Sequence, residues 1–186
     1  MTVAALLLAA GQSRRFGAED KLLADLNGAP LVIHAARALS GVDLRLAVVS
    51  AQPVADLLRA EGFATLMIPP GPQSASIMAG VAELQRLGAT RIVIALGDMA
   101  LLLPDDIRAL LALPPDRPGS AWLEDAPSPP AIFPASWFPR LMGLTGDRGA
   151  GALLRDLDAA SRLAIPARRL WDVDTPQALS DLAKNH

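Results

Sequence analysis

Four apolar runs of strand length, residues 3–10, 44–50, 64–68 and 91–96, recur along the first half of this chain with amphipathic stretches between them. Each run is apolar on both of its alternating faces, which suits a strand covered by helices on either side, as in a parallel sheet. The stretches between them carry helix punctuation. Pro30 opens 31–39 and Gly41 closes it; Pro53 opens 54–60 before Gly62; Ser74 or Ser76 caps a helix running to Leu87 before Gly88. Alternation of this kind predicts βαβ units, and right-handed crossovers wind them into an open, doubly wound sheet. The reading is an α/β fold, Rossmann-like, with three α/β/α layers and a mainly parallel sheet. Ligand sites in such sheets lie at the carboxyl ends of the strands, here just after Ala10, Ser50, Ile68 and Leu96.

The second half is less regular. Eight of the sixteen prolines fall between Pro114 and Pro139, which excludes continuous helix there. Short strands at 120–123 and 131–133 fit, followed by helices at 136–142 and 150–157, a closing strand near 170–173, and a last helix capped by Thr175 with Pro176 at its first position. The expected organisation is one domain over residues 1–186, with 114–151 as a compositionally distinct subregion. With 17 Lys+Arg against 19 Asp+Glu, the net charge of −2 supplies no basic field for nucleic acid or an anionic membrane. The absence of cysteine excludes disulfide scaffolds, iron–sulfur clusters and thiolate nucleophiles. Residues 3–10 are too short an apolar run to span a bilayer and lack a basic leader before them. The expectation is a cytoplasmic protein with neither nucleic acid nor membrane as partner.

The segment after the first strand is the most informative. Ala9, Ala10 and Gly11 leave room for a ligand to reach the backbone, and the loop's N–H groups with Arg14, Arg15 and Lys21 make an anion cradle suited to a triphosphate. A solvated turn with basic residues on its rim is the alternative on composition alone. Five residues separate Gly11 from Gly17 and three more separate Gly17 from Lys21, so neither a P-loop nor a dinucleotide fingerprint is present. Asp98 directly follows the buried run 92–97, at a strand's carboxyl end, where its charge is costly without a partner. Mg²⁺ fits there, because it takes oxygen ligands from one or two carboxylates and substrate phosphates. An N-cap role is the alternative, but Pro104 with Asp105 and Asp106 marks the next helix start six residues later. Neither His34, in an apolar helix pattern, nor His186, the last residue, makes a convincing general base. Were the nucleophile itself a phosphate, no base would be needed, since its second pKa of about 6 leaves it ionised at neutral pH.

The run from Leu8 to Lys21 fits Leu-Ala-Ala-Gly-x-Ser-x-Arg-Phe-Gly-x-x-x-Lys, which resembles the signature of MobA-like nucleotidyltransferases, and among them the molybdenum cofactor cytidylyltransferases. Four further segments are similar to that family in order: 71–80 (GPQSASIMAG), Gly97-Asp98-Met99, 145–150 (TGDRGA) and 172–176 (DVDTP). The resemblance implies a nucleotide-diphospho-sugar transferase-like fold. It implies an enzyme that moves CMP from CTP to the terminal phosphate of molybdopterin, releases pyrophosphate, and uses Mg²⁺, or Mn²⁺ in its place. It also implies a molybdoenzyme of the xanthine dehydrogenase type as a partner.

Residue by residue, the resemblance assigns Lys21 and Arg15 to the oxygens of the attacked α-phosphorus, with Arg14 ranked below Arg15. It assigns Ala9, Ala10, Gly11, Ser13, Arg14, Ser74, Ser76 and Gly80 to the nucleotide, Asp98 and Asp174 to the metal, and Asp147 and Arg148 to the acceptor. Simple capping by the two serines, packing of Gly80 on the sheet, support of a helix start by Asp174 and an ordinary turn at Asp147 stay open beside it. The tryptophans 122, 137 and 171, with Phe133 and Phe138, are expected in core or lid packing rather than in a stacking platform. CTP is preferred over GTP because the cytidylyl branch tends to carry Ala-Ala-Gly where the guanylyl branch has Ala-Gly-Gly, and a methyl at Ala10 narrows the base pocket. One methyl discriminates weakly, by about 1–3 kcal/mol.

Two departures bear on the acceptor and the metal. Ala100 stands where the family usually has proline, and Ser128-Pro129 stand where it commonly has Gly followed by His or Asn. Proline brings no imidazole, amide or N–H, so contacts to the second substrate differ. The alternatives are the same chemistry with GTP or with another acceptor, such as a sugar or alcohol phosphate, and a non-catalytic chaperone that binds the cofactor for a molybdoenzyme.

Overall fold

The structure is a computed structural model that describes residues 1–11, 16, 20–147 and 149–184. Its elements in chain order are β1 (Val3–Ala9), β2 (Asp25–Leu26), β3 (Ala29–Pro30), α1 (Leu31–Ala38), β4 (Leu44–Val49), α2 (Gln52–Ala60), β5 (Ala64–Met67), α3 (Gln73–Arg86), β6 (Arg91–Leu96), α4 (Pro104–Leu111), β7 (Gly119–Leu123), β8 (Ala126–Pro134), α5 (Phe138–Met142), β9 (Arg162–Ala164) and α6 (Pro176–Lys184). Seven strands form one sheet in the order β5-β4-β1-β6-β8-β7-β9. The pairs β5·β4, β4·β1, β1·β6 and β7·β9 are parallel, and β8 runs antiparallel to both of its neighbours. The expected three-layer, mainly parallel α/β architecture is thus present.

Strand β1 shows why both faces are covered. Ala5, Leu7 and Ala9 enter one apolar cluster with residues of α1, α2 and α4, while Ala4, Leu6, Leu8 and Ala10 enter another with Ile77, Val81 and Leu84 of α3 and Phe138 and Leu141 of α5. A period of two sends alternate side chains to opposite layers, so a continuous apolar run is what such a strand needs. From β1 the chain winds outward through β4 to β5, then crosses back to β6 on the other side of β1. That reversal opens a crevice beyond the carboxyl ends of β1 and β6.

Four expectations are corrected. Ser74 and Ser76 do not cap α3: its N-cap is Pro72, and both serines lie buried inside the first turns. The helix expected at 150–157 is only a 3-10 turn over Ala150–Leu153, because Gly151 weakens helix there and the burial of Ala150, Leu154 and Leu157 sets the path of the chain. The closing strand near 170–173 is absent; the sheet position beside β7 is taken by β9, and Val173 N–H donates instead to the Asp98 carbonyl at 3.2 Å. Finally, the strand expected at 131–133 extends over Ala126–Pro134. Only 131–134 pair with β6, so Pro127 falls where β8 is bonded to β7 alone, and Pro129 and Pro130 fall at a register shift, paired with neither neighbour; both places tolerate proline.

No helix among the described residues is long and apolar enough to cross a membrane.

Candidate active site

Lys21 opens a 3-10 turn, Lys21–Leu23, whose Leu22 is buried in the core and whose Leu22 N–H donates to Asp20 Oδ1 at 3.0 Å. With its neighbour anchored and its turn capped, Lys21 is held facing the crevice. Its Nζ donates to Asp98 Oδ2 at 2.6 Å and to Asp174 Oδ1 at 2.9 Å. Asp98 follows the close approach of Gly97 to β1: Gly97 N–H donates to the Leu8 carbonyl at 2.9 Å, and a Cβ there would lie 3.3 Å from that oxygen. Ala100 does not loosen this turn. It packs with Phe16, Leu26, Leu31, Val173 and Leu182, and Met99 beside it is fully buried. Packing and the Val173 to Asp98 hydrogen bond fix what proline would otherwise have fixed.

That same hydrogen bond draws the 172–174 strap over the end of β6. Val173 points into the cluster of Phe16 and Leu26, so the residues on either side of it turn the other way, and oxygens of Asp98, Asp172 and Asp174 all lie within 4.8 Å of one another. Burial pushes the Asp98 carboxyl above its ordinary value; the charge and hydrogen bond of Lys21 pull against that rise, and the Asp172 charge adds to it. Burial opposes the charge on Lys21, but Asp98 and Asp174 together outweigh it and raise its pKa. Asp98 Oδ1 is buried, with no hydrogen-bond partner among the described residues. An orphaned oxygen in an all-carboxylate donor set fits a hard divalent cation such as Mg²⁺ or Mn²⁺. Asp172 was not singled out from the sequence, although its spacing of two from Asp174 in an extended segment was the available signal.

Two cavities meet at this edge of the sheet. One, of about 650 Å³, is lined by Ala9, Ala10, Gly11, Lys21, Asp98 and Ser76, with the Pro70–Gln73 segment and Asp147 across from them. The other, of about 680 Å³, lies between β8 and the 149–155 segment and is lined mainly by apolar side chains, among them Ile77, Ile94 and Leu154. Leu8, Gln73 and Leu96 border both. Gln73, which sequence reasoning passed over, sits at the first turn of α3 so close to Gly149 that a Cβ there would lie 2.4 Å from its Oε1. Ser128 hydroxyl donates to the Pro129 carbonyl at 3.2 Å, and among the described residues Gln73 and Arg155 are the other polar side chains lining the apolar cavity.

The predicted site residues divide accordingly. Ala9, Ala10, Gly11, Lys21, Ser76, Asp98 and Asp147 line the polar cavity, and Asp174 reaches it through Lys21. Asp147 faces this cavity rather than the apolar one. Gly80 lines neither: a Cβ would come within 2.3 Å of Leu6 Cδ1, so its role is the close packing of α3 on β1. Ser74 is buried behind the cavity wall, its N–H donating to the Gly146 carbonyl at 3.3 Å. Ser13, Arg14, Arg15, Arg148 and His186 lie outside the described residues. His34 Nε2 lies 2.9 Å from the Leu26 carbonyl, a structural contact. Phe133 and Phe138 are core residues, Trp122 and Trp137 stack under Arg162 and Arg140, and Trp171 is exposed.

A doubly wound sheet with a carboxylate cluster and a backbone-lined cavity at its switch point defines an α/β protein with its ligand site beyond the carboxyl ends of the strands. Comparison with known proteins agrees. Rv0371c of Mycobacterium tuberculosis H37Rv, in a crystal structure of its complex with manganese, superposes with a TM-score of 0.77 at 22% identity, covering 100% of both chains. A CMP:2-keto-3-deoxy-manno-octonic acid synthetase complexed with CTP does so with a TM-score of 0.70 at 16% identity, covering 100% of this chain and 98% of its own.

In sequence, residues 5–162 match the MobA-like NTP transferase domain, and the chain belongs to that family. The purine catabolism protein PucB of Bacillus subtilis is 35% identical over 108 residues, 56% of this chain and 53% of PucB. A phosphoenolpyruvate guanylyltransferase of Conexibacter woesei is 33% identical over 165 residues, 81% of this chain and 70% of its own. A probable molybdenum cofactor guanylyltransferase of Pyrococcus horikoshii is 34% identical over 111 residues, 58% of this chain and 54% of its own. The matches to PucB and to the Pyrococcus protein thus span about half the length of each relative.

Proposed function

We propose that this protein is a nucleotidyltransferase that moves CMP from CTP to the terminal phosphate of molybdopterin. The observation that carries the transferase reading is the convergence of Lys21, Asp98 and Asp174 at the mouth of a cavity floored by Ala9, Ala10 and Gly11. Family membership and the carboxylate cluster support a divalent metal, and the manganese complex of Rv0371c supports Mn²⁺ as a substitute for Mg²⁺. Asp98 and Asp174 would hold the metal, which when bound neutralises charge on the triphosphate. The backbone at Ala10 and Gly11 binds phosphate oxygens and Lys21 steadies the α-phosphate as it is attacked, with Arg15 assigned beside it from the sequence. Ser76 at the start of α3 serves the ribose or base, with Ser74 buried behind it. An oxygen of the acceptor phosphate bonds to the α-phosphorus, the bond to the bridging α–β oxygen breaks, and pyrophosphate leaves with that electron pair. No general base is required.

CTP over GTP rests on the buried methyl of Ala10 in the cavity wall. The Pyrococcus relative supports a molybdopterin acceptor, with Asp147 and Arg148 at its phosphate. A second reading keeps the chemistry and takes a smaller phosphorylated acceptor. It is favoured by the sparse polar lining of the second cavity, since a pterin edge needs several partners, and the Conexibacter relative acts on such a compound.

Pyrophosphate release from CTP or GTP with Mg²⁺, offered molybdopterin or small phosphate acceptors, tests both. CTP turnover with molybdopterin is the expected result. Turnover with GTP alone moves the chain to the guanylyl branch, turnover with a small acceptor alone selects the second reading, and nucleotide binding without turnover makes it a chaperone.

A further inference from the structure

We infer that the Lys21 ammonium stands in for the divalent cation: it fills the cation position between Asp98 and Asp174, and the metal enters by displacing it toward the nucleotide's phosphates. This rests on the reading of those aspartates as the metal's carboxylates. Nζ bonds one oxygen of each, at 2.6 Å and 2.9 Å, and these side chains come from segments 77 and 153 residues away along the chain. Three carboxylates with oxygens within 4.8 Å of one another repel strongly unless a cation lies among them, and here the protein supplies its own. The orphaned Asp98 Oδ1 leaves donor capacity that an ammonium on Oδ2 does not use. A divalent ion drawing on the same oxygens meets the repulsion of Lys21 at close range, so the two cations exclude each other.

Displacement needs no refolding. Leu22 and the Asp20 cap hold the backbone, and the flexible four-carbon stem of Lys21 can swing into the cavity beside Ala10 and Gly11. Once displaced, the ammonium has given up its bonds to Asp98 and Asp174, and triphosphate oxygens replace them. Metal and nucleotide therefore bind cooperatively through one side chain, each assisting the other by the same factor.

Free Mn²⁺ measured by electron paramagnetic resonance during titration tests this on the full chain. Without nucleotide, Lys21→Met is expected to bind Mn²⁺ about tenfold tighter than the wild type, while Lys21→Arg, which keeps the cation, stays near it. CTP is expected to tighten Mn²⁺ binding more in the wild type than in Lys21→Met. Equal or weaker binding by Lys21→Met overturns the inference and leaves the metal-site reading standing. No Mn²⁺ binding by any of the proteins, with or without CTP, overturns both. Should the variants not fold, the wild type suffices: Lys21 and Lys184 are the only lysines, so acetylation by an N-hydroxysuccinimide ester can be read at Lys21 against Lys184. Mn²⁺ is expected to speed acetylation of Lys21, and an unchanged or slower rate overturns the inference.

Discussion

Asp98 draws together the electrostatics of the site. Its carboxyl is raised by burial, and the charge of Asp172 contributes to the rise. Only the carboxylate is a metal ligand. Mn²⁺ binding should therefore fail on acidification at a higher pH than an exposed aspartate, with an ordinary value of about 4, would impose. Asp172→Asn should shift that loss to lower pH, as Mn²⁺ titrations across the acid range would show. Stability runs the other way for this group: the folded chain holds the proton more tightly than the unfolded chain, so its contribution grows as pH falls through the interval above 3.8. Lys21, raised above 10.5, stabilises fully below that value, and its contribution is lost as pH rises through the higher folded value. Asp98→Asn should lower pyrophosphate release by a factor on the order of 10² or more, as loss of a charged group from a phosphoryl-transfer site does. Of these partners Lys21, Asp98 and Asp174 were legible in the sequence as motif positions. Asp172 lies in the same motif as Asp174, but its part in the cluster was not legible, because an exposed aspartate looks like any other until the burial of Val173 shows which way its neighbours turn.

Two contacts between elements set the site's frame. Gly80 lets α3 lie against β1, and Gly80→Ala would drive a methyl into Leu6. The expected cost is about 1–3 kcal/mol, measured by urea unfolding. Because the clash is with the tip of a flexible side chain, adding Leu6→Val should recover part of the loss, a non-additivity that contact demands. The second contact is buried Asp106, which accepts from Leu103 N–H at 3.0 Å and pairs with Arg169 at 2.8 Å. It ties the start of α4 to the turn that leads into the 172–174 strap. Asp106→Asn keeps an acceptor for Leu103 but loses the ion pair; Asp106→Ala loses both. Melting should fall in that order, with about 1–3 kcal/mol lost in the alanine variant. Helix starts marked by proline, at Pro104 and Pro176, were readable because proline fits a first turn for reasons local to it. The expected helix at 150–157 and strand at 170–173 were misread because tertiary burial, not local periodicity, shapes both segments.

On the proposed function, the two adjoining cavities would allow separate control of nucleotide and acceptor. Ala152 lines only the apolar cavity and is exposed, so Ala152→Trp would fill that space from its rim. Folding stability should stay within about 0.5 kcal/mol of the wild type. The thermal shift produced by CTP with Mg²⁺ should be unchanged, while transfer to the acceptor falls about tenfold, the effect of misplacing a reacting group. The alternation of apolar runs with capped helices established the α/β class and the switch-point edge, because strand and helix periods and proline and glycine punctuation are local properties that the chain carries wherever it goes. The junction of Lys21 with Asp174, 153 residues later, the recruitment of Asp172, the packing role of Gly80 and the antiparallel β8 that walls the second cavity were decided only by tertiary structure. Contacts between distant segments depend on how whole layers pack and where strands find partners, and no local period encodes that.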